Sequence, residues 1–138
     1  MRFDHLGIAV ETLEAGRQVL GHSLRVGQWT TMAIDPVQNV HYQFGLDPSG
    51  VRYELLAPAS DTSPIWRAVR TKSRTLNHVA YRVNNLDTTV LDLVAQHWTT
   101  VSQVALAPAF DGARIRFLLN PLGFVVELIE DLPEPIGG

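Results

Sequence analysis

Two histidines and two glutamates recur at one spacing along this 138-residue chain: His5 precedes Glu54 by 49 residues, and His78 precedes Glu127 by the same 49. Imidazole nitrogens and carboxylate oxygens are donors for zinc, nickel, cobalt, iron or manganese, and four of them leave positions open for water or substrate oxygens. Each glutamate sits in an apolar run, Tyr53-Glu54-Leu55-Leu56 and Val125-Val126-Glu127-Leu128-Ile129. A carboxylate buried in such a run without a compensating cation neutralises rather than staying charged. Held against one divalent metal ion, the four residues satisfy one another. The chain has no cysteine, so thiolate ligands, disulfides and cysteine nucleophiles are excluded.

The shared spacing belongs to a longer duplication. Phe3-Asp4-His5-Leu6-Gly7-Ile8-Ala9-Val10 is echoed 73 residues later by Leu76-Asn77-His78-Val79-Ala80-Tyr81-Arg82-Val83, and Leu46-Asp47-Pro48-Ser49-Gly50 by Leu119-Asn120-Pro121-Leu122-Gly123. Between about residues 21 and 43 no identities link the copies, so the flanks carry the register there and compensating gaps can hide. Each copy opens with a strand (3–10, then 76–83) whose apolar residues alternate with small or polar ones. Thr12 and Asn85 are good N-caps for helices running to about His22 and Gln96. Three more strands follow in each copy, the last two joined by a Pro-containing turn that ends in Gly. The expected architecture is α+β, a single domain of two tandem βαβββ modules. Module 1 spans residues 1–58 and module 2 spans 75–131. A linker with a short helix occupies 59–74, and a tail 132–138.

Strand alternation sorts the side chains by face. Leu6, Ile8 and Val10 form the set for a helix to cover, which leaves His5, Gly7 and Ala9 on the other face; His78, Ala80 and Arg82 repeat the split. In the middle strands, Tyr42, Phe44 and Leu46, and likewise Ile115, Phe117 and Leu119, are expected to face the helices. That assignment turns His41, Gln43, Arg114 and Arg116 toward the four ligands. His41 is then the candidate second acid or base, and Gln43, Arg114 and Arg116 the candidate substrate-binding residues. Either arginine can hold a carboxylate or phosphate bidentately.

With 46% hydrophobic and 18% charged residues, the chain has the composition of a soluble globular domain. A net charge of −3 gives no electrostatic reason to expect nucleic acid or an anionic membrane as partner, and a small-molecule substrate is expected instead. The first residues lack the basic and apolar segments of a secretion signal, and no apolar stretch reaches membrane-spanning length. A cytoplasmic location is the expectation.

Asp4-His5-Leu6-Gly7-Ile8-Ala9-Val10 and Asn77-His78-Val79-Ala80-Tyr81-Arg82-Val83 resemble the opening strands of the two modules of the vicinal oxygen chelate superfamily. That superfamily includes glyoxalases, methylmalonyl-CoA epimerases, extradiol dioxygenases and bleomycin or fosfomycin resistance proteins. The resemblance covers nearly the whole chain. It implies a cup-shaped, mostly antiparallel eight-stranded sheet with a metal on its floor, ligands from the first and last strands of each module, and a homodimer. Tyr53-Glu54-Leu55-Leu56-Ala57-Pro58 followed by Ser63-Pro64-Ile65 is most similar to the methylmalonyl-CoA epimerase branch. This implies an epimerase or isomerase that abstracts a proton next to a carbonyl or thioester and stabilises the enolate on the divalent cation, with Glu127 as base. Two departures open alternatives. Epimerases commonly carry Gln at the position of Glu54, whereas a His, Glu, His, Glu set resembles bacterial glyoxalase I, a lyase. The short Asn120-Pro121-Leu122-Gly123 turn replaces the longer basic loop typical of the epimerases. A non-catalytic, ligand-sequestering protein of the bleomycin-resistance kind is the remaining alternative.

Overall fold

Thr12 and Asn85 start the two long helices by the same device. The Thr12 hydroxyl accepts from the Ala15 N–H and the Asn85 side-chain Oδ1 from the Thr88 N–H, satisfying donors that a first helical turn leaves open. The computed structural model describes residues 1–132; part of the tail expected at 132–138 therefore lies outside the described residues. Within them the strands are β1 (Arg2–Ala9), β2 (Ala33–Asp35), β3 (Val40–Leu46), β4 (Arg52–Pro58), β5 (Leu76–Val83), β6 (Thr99–Thr100), β7 (Ala105–Ala107), β8 (Ala113–Leu119) and β9 (Val125–Glu130). The helices are α1 (Leu13–Ser23), α2 (Trp66–Thr71) and α3 (Leu86–Ala95). The chain is α+β and folds as two compact units. One is His5–His78; the other runs from Val79 onward and includes Met1–Asp4.

In the first unit the strands lie in the order β2-β3-β4-β1. The β1/β4 pair is parallel, and the β2/β3 and β3/β4 pairs are antiparallel. Helix α1 covers one face, burying Leu13 against Leu55 and Ala57, with Ile8, Val10, Leu20 and Trp29 around them. Helix α2 is the short linker helix expected after Ser63-Pro64. It ends at Lys72, which takes a left-handed conformation as C-cap.

In the second unit the order is β5-β9-β8-β6, with β7 also paired to β8. Here β5/β9 is parallel, and β8 is antiparallel to β9, β6 and β7. Leu86, Val90 and Leu93 of α3 pack on Leu118, Val126 and Leu128, which are fully or almost fully buried. The N-terminal residues belong to this unit: Phe3 meets Tyr81 edge-on at 5.9 Å and Arg82 Nε donates to Asp4 Oδ1 at 3.0 Å.

The turn between the last two strands is built alike in both units. Gly50 N–H donates to Asp47 C=O and Gly123 N–H to Asn120 C=O, and both glycines take positive φ, 88° and 97°. Asp47 and Asn120 also accept from the backbone two residues on through their own side chains, an Asx turn. The middle of the duplication carries the compensating gaps. Ala33 pairs with Tyr42, but the residue paired with Ile115, which lies 73 beyond Tyr42, is Ala105, only 72 beyond Ala33. The segment between β2 and β3 is one residue shorter than that between β7 and β8, which restores the offset. Where one strand was expected between α3 and β8, two short ones form, so the described residues hold nine strands rather than eight. Among the described residues no helix is long and apolar enough to cross a membrane.

Candidate metal centre

His5 and Glu54 reach the same face of the first unit through strand register. In the parallel β1/β4 pair Gly7 lies beside Glu54, and in the antiparallel β3/β4 pair Phe44 lies directly opposite Glu54. Directly opposed residues project to one side of the sheet. The Phe44 ring meets the His5 imidazole edge-on, centroids 5.3 Å apart, so His5, Phe44 and Glu54 share the face away from α1. His78, at the start of β5, joins them. All three polar residues are buried, His5 completely.

Their donor atoms converge. His5 Nε2 lies 3.1 Å from His78 Nε2, and Glu54 Oε1 lies 3.2 Å from the first and 3.3 Å from the second. Neighbouring ligand atoms around a cation bound at about 2.0–2.2 Å are separated by roughly 3.0–3.4 Å in octahedral or tetrahedral sites. The triangle fits that span, and it presents two imidazole nitrogens and a carboxylate oxygen, the donor types that borderline divalent cations take. The residues present therefore fit a metal ion.

The surroundings hold the triangle in place. The Nδ1 of His78 lies 2.7 Å from Asn77 Oδ1; an Nδ1–H donating to that oxygen leaves the Nε2 lone pair for a cation. Gly7 supplies room. A Cβ built on it would overlap the His78 ring, and its backbone lies outside the positive-φ region that would itself call for glycine. While no cation holds the Nε2 lone pairs, burial alone would raise the Glu54 carboxyl, but hydrogen bonds from His5 and His78, with the charge these rings carry when Nε2 is protonated, outweigh it and hold the carboxyl at about 2. The ligand oxygen is thus an anion at every physiological pH.

Three of the four sequence-predicted ligands meet within the first unit. Glu127, the fourth, belongs to the second, where it is buried on β9 beside Ala80 of β5 and opposite Phe117 of β8.

The remaining candidates are placed otherwise, because the middle strands are turned over relative to the expectation. The β3/β4 register sets Tyr42, Phe44 and Leu46 against Leu56, Glu54 and Arg52, and sets His41 and Gln43 against Ala57 and Leu55, the residues under α1. His41 is exposed on that helix face, opposite Ile34, and is not positioned as a second acid or base. Gln43 is bonded into the scaffold: Arg17 of α1 donates to its Oε1 at 2.7 Å, and its Nε2 donates to Thr30 C=O. The second unit shows the same inversion. Arg114 and Arg116 pair in register with Glu130 and Leu128, and Leu128 packs on α3. Arg114 bonds Asp87 of α3 at 2.7 Å and Glu130, and Arg116 donates to Ser102 C=O at 3.0 Å. Neither arginine lies on the face of Glu127, so neither serves as the substrate clamp expected of it.

The face that carries the triangle holds Tyr42, expected from the sequence to face the helices, and Arg52, which had no expected role. Tyr42 packs edge-on against Phe44, with centroids 6.1 Å apart. Burial, with the charges of Asp35 and Glu54, raises its phenol above the ordinary range, so it stays neutral near pH 7. Arg52 stacks on the Phe44 ring, its guanidinium carbon 4.1 Å from the centroid. Its position two residues before Glu54 was the available signal, since i and i+2 share a strand face.

The chain is similar to known proteins over most of its length. A family model described as the Glyoxalase/Bleomycin resistance protein/Dioxygenase superfamily matches residues 4–117. The chain is 28% identical over 131 residues to the protein YqjC of Bacillus subtilis (strain 168), covering 94% of this chain and 91% of that one. Among solved structures, the hypothetical protein BH1468 from Bacillus halodurans C-125 superposes with a TM-score of 0.81 at 23% identity, over 97% of this chain and 96% of that chain. Methylmalonyl-CoA epimerase from Mycobacterium tuberculosis superposes with a TM-score of 0.78 at 25% identity, over 96% and 89%. A Streptomyces coelicolor methylmalonyl-CoA epimerase in complex with 2-nitronate-propionyl-CoA gives 0.77 at 20% identity, over 96% and 99%. At identities below 25%, the first and last of these are likenesses of fold.

Proposed function

The chain belongs to the glyoxalase/bleomycin resistance protein/dioxygenase superfamily, and from that premise we propose that it is a metal-dependent epimerase or isomerase, removing a proton from carbon next to a carbonyl or thioester. The observation that carries the reading is the triangle of His5 Nε2, His78 Nε2 and Glu54 Oε1, with every side between 3.1 and 3.3 Å. The likeness to the Mycobacterium tuberculosis epimerase supports the choice of reaction.

In this reading His5, Glu54 and His78 hold one divalent cation of the cobalt, nickel, zinc, manganese or iron class, and Glu127 is the fourth ligand. When bound, the cation supplies the electrostatic stabilisation that lets a carbon acid ionise near neutral pH. Glu127 takes the proton from the substrate carbon; isomerisation follows when it delivers that proton to the neighbouring carbon, and epimerisation when the enolate takes a proton from water on its opposite face. Its support is its equivalence to Glu54 at an offset of 73 residues and its burial in mid-strand. Phe44 walls the imidazole of His5 and keeps water from that side. The small-molecule substrate and the homodimer that the resemblance implies belong to this proposal.

Deuterium exchange tests it. Metal-loaded protein should exchange the acidic proton of an acyl-CoA thioester such as methylmalonyl-CoA, and protein stripped by chelator should not. Equal exchange by both forms overturns the reading. One observation favours a second enzyme reading, a glyoxalase I-type lyase: position 54 carries a carboxylate held ionised rather than an amide. Turnover of the hemithioacetal of methylglyoxal and glutathione, with none of acyl-CoA thioesters, would select it.

A further inference from the structure

Tyr42 lies on β3 two residues before Phe44, opposite Leu56 of β4 and Ala33 of β2, on the face that carries the metal-ligand triangle. Its ring is buried and meets Phe44 edge-on at 6.1 Å, and Phe44 in turn meets the imidazole of His5. Among the described residues nothing forms a hydrogen bond with the Tyr42 hydroxyl, which keeps contact with solvent instead. A buried tyrosine ordinarily finds a partner for its O–H, as Tyr53 does by donating to Asp47 Oδ2. Burial and the charges of Asp35 and Glu54 raise the Tyr42 phenol, so it holds its proton near pH 7 and acts as a donor. The effect of Glu54 also places the phenol within electrostatic reach of the triangle. Residues two apart on one strand face stand ~7 Å from one another, so a small molecule with oxygens at the triangle extends to this O–H.

We propose that Tyr42 is a further catalytic residue, whose O–H donates a hydrogen bond to the substrate oxygen on which negative charge develops as the carbon acid ionises. The proposal rests on the metal-centre reading and adds a neutral, directional donor to the stabilisation that the cation supplies. The phenol transfers no proton; it keeps its hydrogen, and the bond strengthens as the charge on the acceptor grows. A hydroxyl without a protein partner has no bond within the fold to break before it meets that oxygen.

Tyr42→Phe removes the oxygen and keeps the ring. Cobalt-loaded wild type and variant are titrated, through the visible spectrum of the metal, with two probes. Acetohydroxamate presents vicinal oxygens and a delocalised negative charge, as an enolate does. Imidazole binds cobalt through one nitrogen and turns only an N–H outward, so it cannot accept from a phenol. The variant should bind acetohydroxamate about tenfold or more weakly, with the imidazole Kd and the cobalt content unchanged. It should also melt no lower than wild type, because the hydroxyl gives up no bond within the fold. Equal acetohydroxamate affinity in the two cobalt-loaded proteins overturns the role of Tyr42 alone, as does equal weakening toward both probes or a lower melting temperature. A protein that takes up no cobalt, or whose bound cobalt ignores acetohydroxamate, sinks the metal-centre reading, and the role of Tyr42 falls with it.

Discussion

Gly7 faces the imidazole of His78 so closely that a methyl group at position 7 would occupy the space of the ring. No left-handed backbone calls for glycine there, so its requirement is steric. In an open strand, alanine would be the more stable choice by roughly 0.5–1 kcal/mol. Gly7→Ala is therefore expected to fold, with the His78 ring displaced and divalent-metal affinity reduced at least about a hundredfold. Metal analysis after dialysis and melting with and without cobalt check this. A variant that keeps one equivalent of metal at wild-type Kd contradicts the steric account.

Glu54 makes the metal-free protein sensitive to acid. Its carboxyl titrates at about 2 in the fold against 4.5 ordinarily, a depressed value, so the stabilisation is complete above about pH 4.5 and disappears as pH falls toward 2. Linkage makes the loss of order 3 kcal/mol over that window. The urea midpoint of chelator-treated wild type should fall steeply between pH 4.5 and 2, and that of Glu54→Gln should fall less. Parallel curves for the two proteins would show that the His5 and His78 contacts do not hold the carboxyl down.

Much of the first-unit site could be read from the chain because duplication leaves marks at strand starts and turns. His5 and His78 occupy equivalent positions, and the Asp47–Gly50 and Asn120–Gly123 turns repeat down to their hydrogen bonds. The middle strands were less legible. Val40, Tyr42 and Phe44 are buried on one face of β3 and Gln43 on the other, and a strand buried on both faces gives alternation no solvent side to point to. The inversion followed from taking polar side chains as site-facing. Arg114 and Gln43 instead find their partners, Asp87 and Arg17, on the helices that cover them. Those partners lie 27 and 26 residues away in sequence, at distances no local pattern reports.

That inversion predicts a separation of phenotypes. Gln43→Ala removes the bridge from Arg17 to Thr30 C=O and should lower stability by about 1–2 kcal/mol, leaving cobalt affinity within about twofold. Arg116→Gln gives up the bond to Ser102 C=O and should likewise leave cobalt affinity unchanged. Loss of metal binding in either variant would return these residues to the site.

Asn77 offers a test of how His78 is presented. Its Oδ1 lies 2.7 Å from His78 Nδ1, an arrangement that selects the tautomer with a free Nε2 lone pair. Without it the neutral ring is free to place its proton on Nε2, the atom 3.1 Å from His5 Nε2, where it would block a cation. Asn77→Ala should weaken cobalt binding about 10–100-fold, the usual cost of removing a partner behind a metal-bound imidazole. Asn77→Asp should restore it or exceed it, because a carboxylate acceptor raises the basicity of the ring. The contrast between the two variants is the diagnostic, since simple loss of packing weakens both. Equal affinities in wild type, Asn77→Ala and Asn77→Asp would mean that the ring is held by the strand alone.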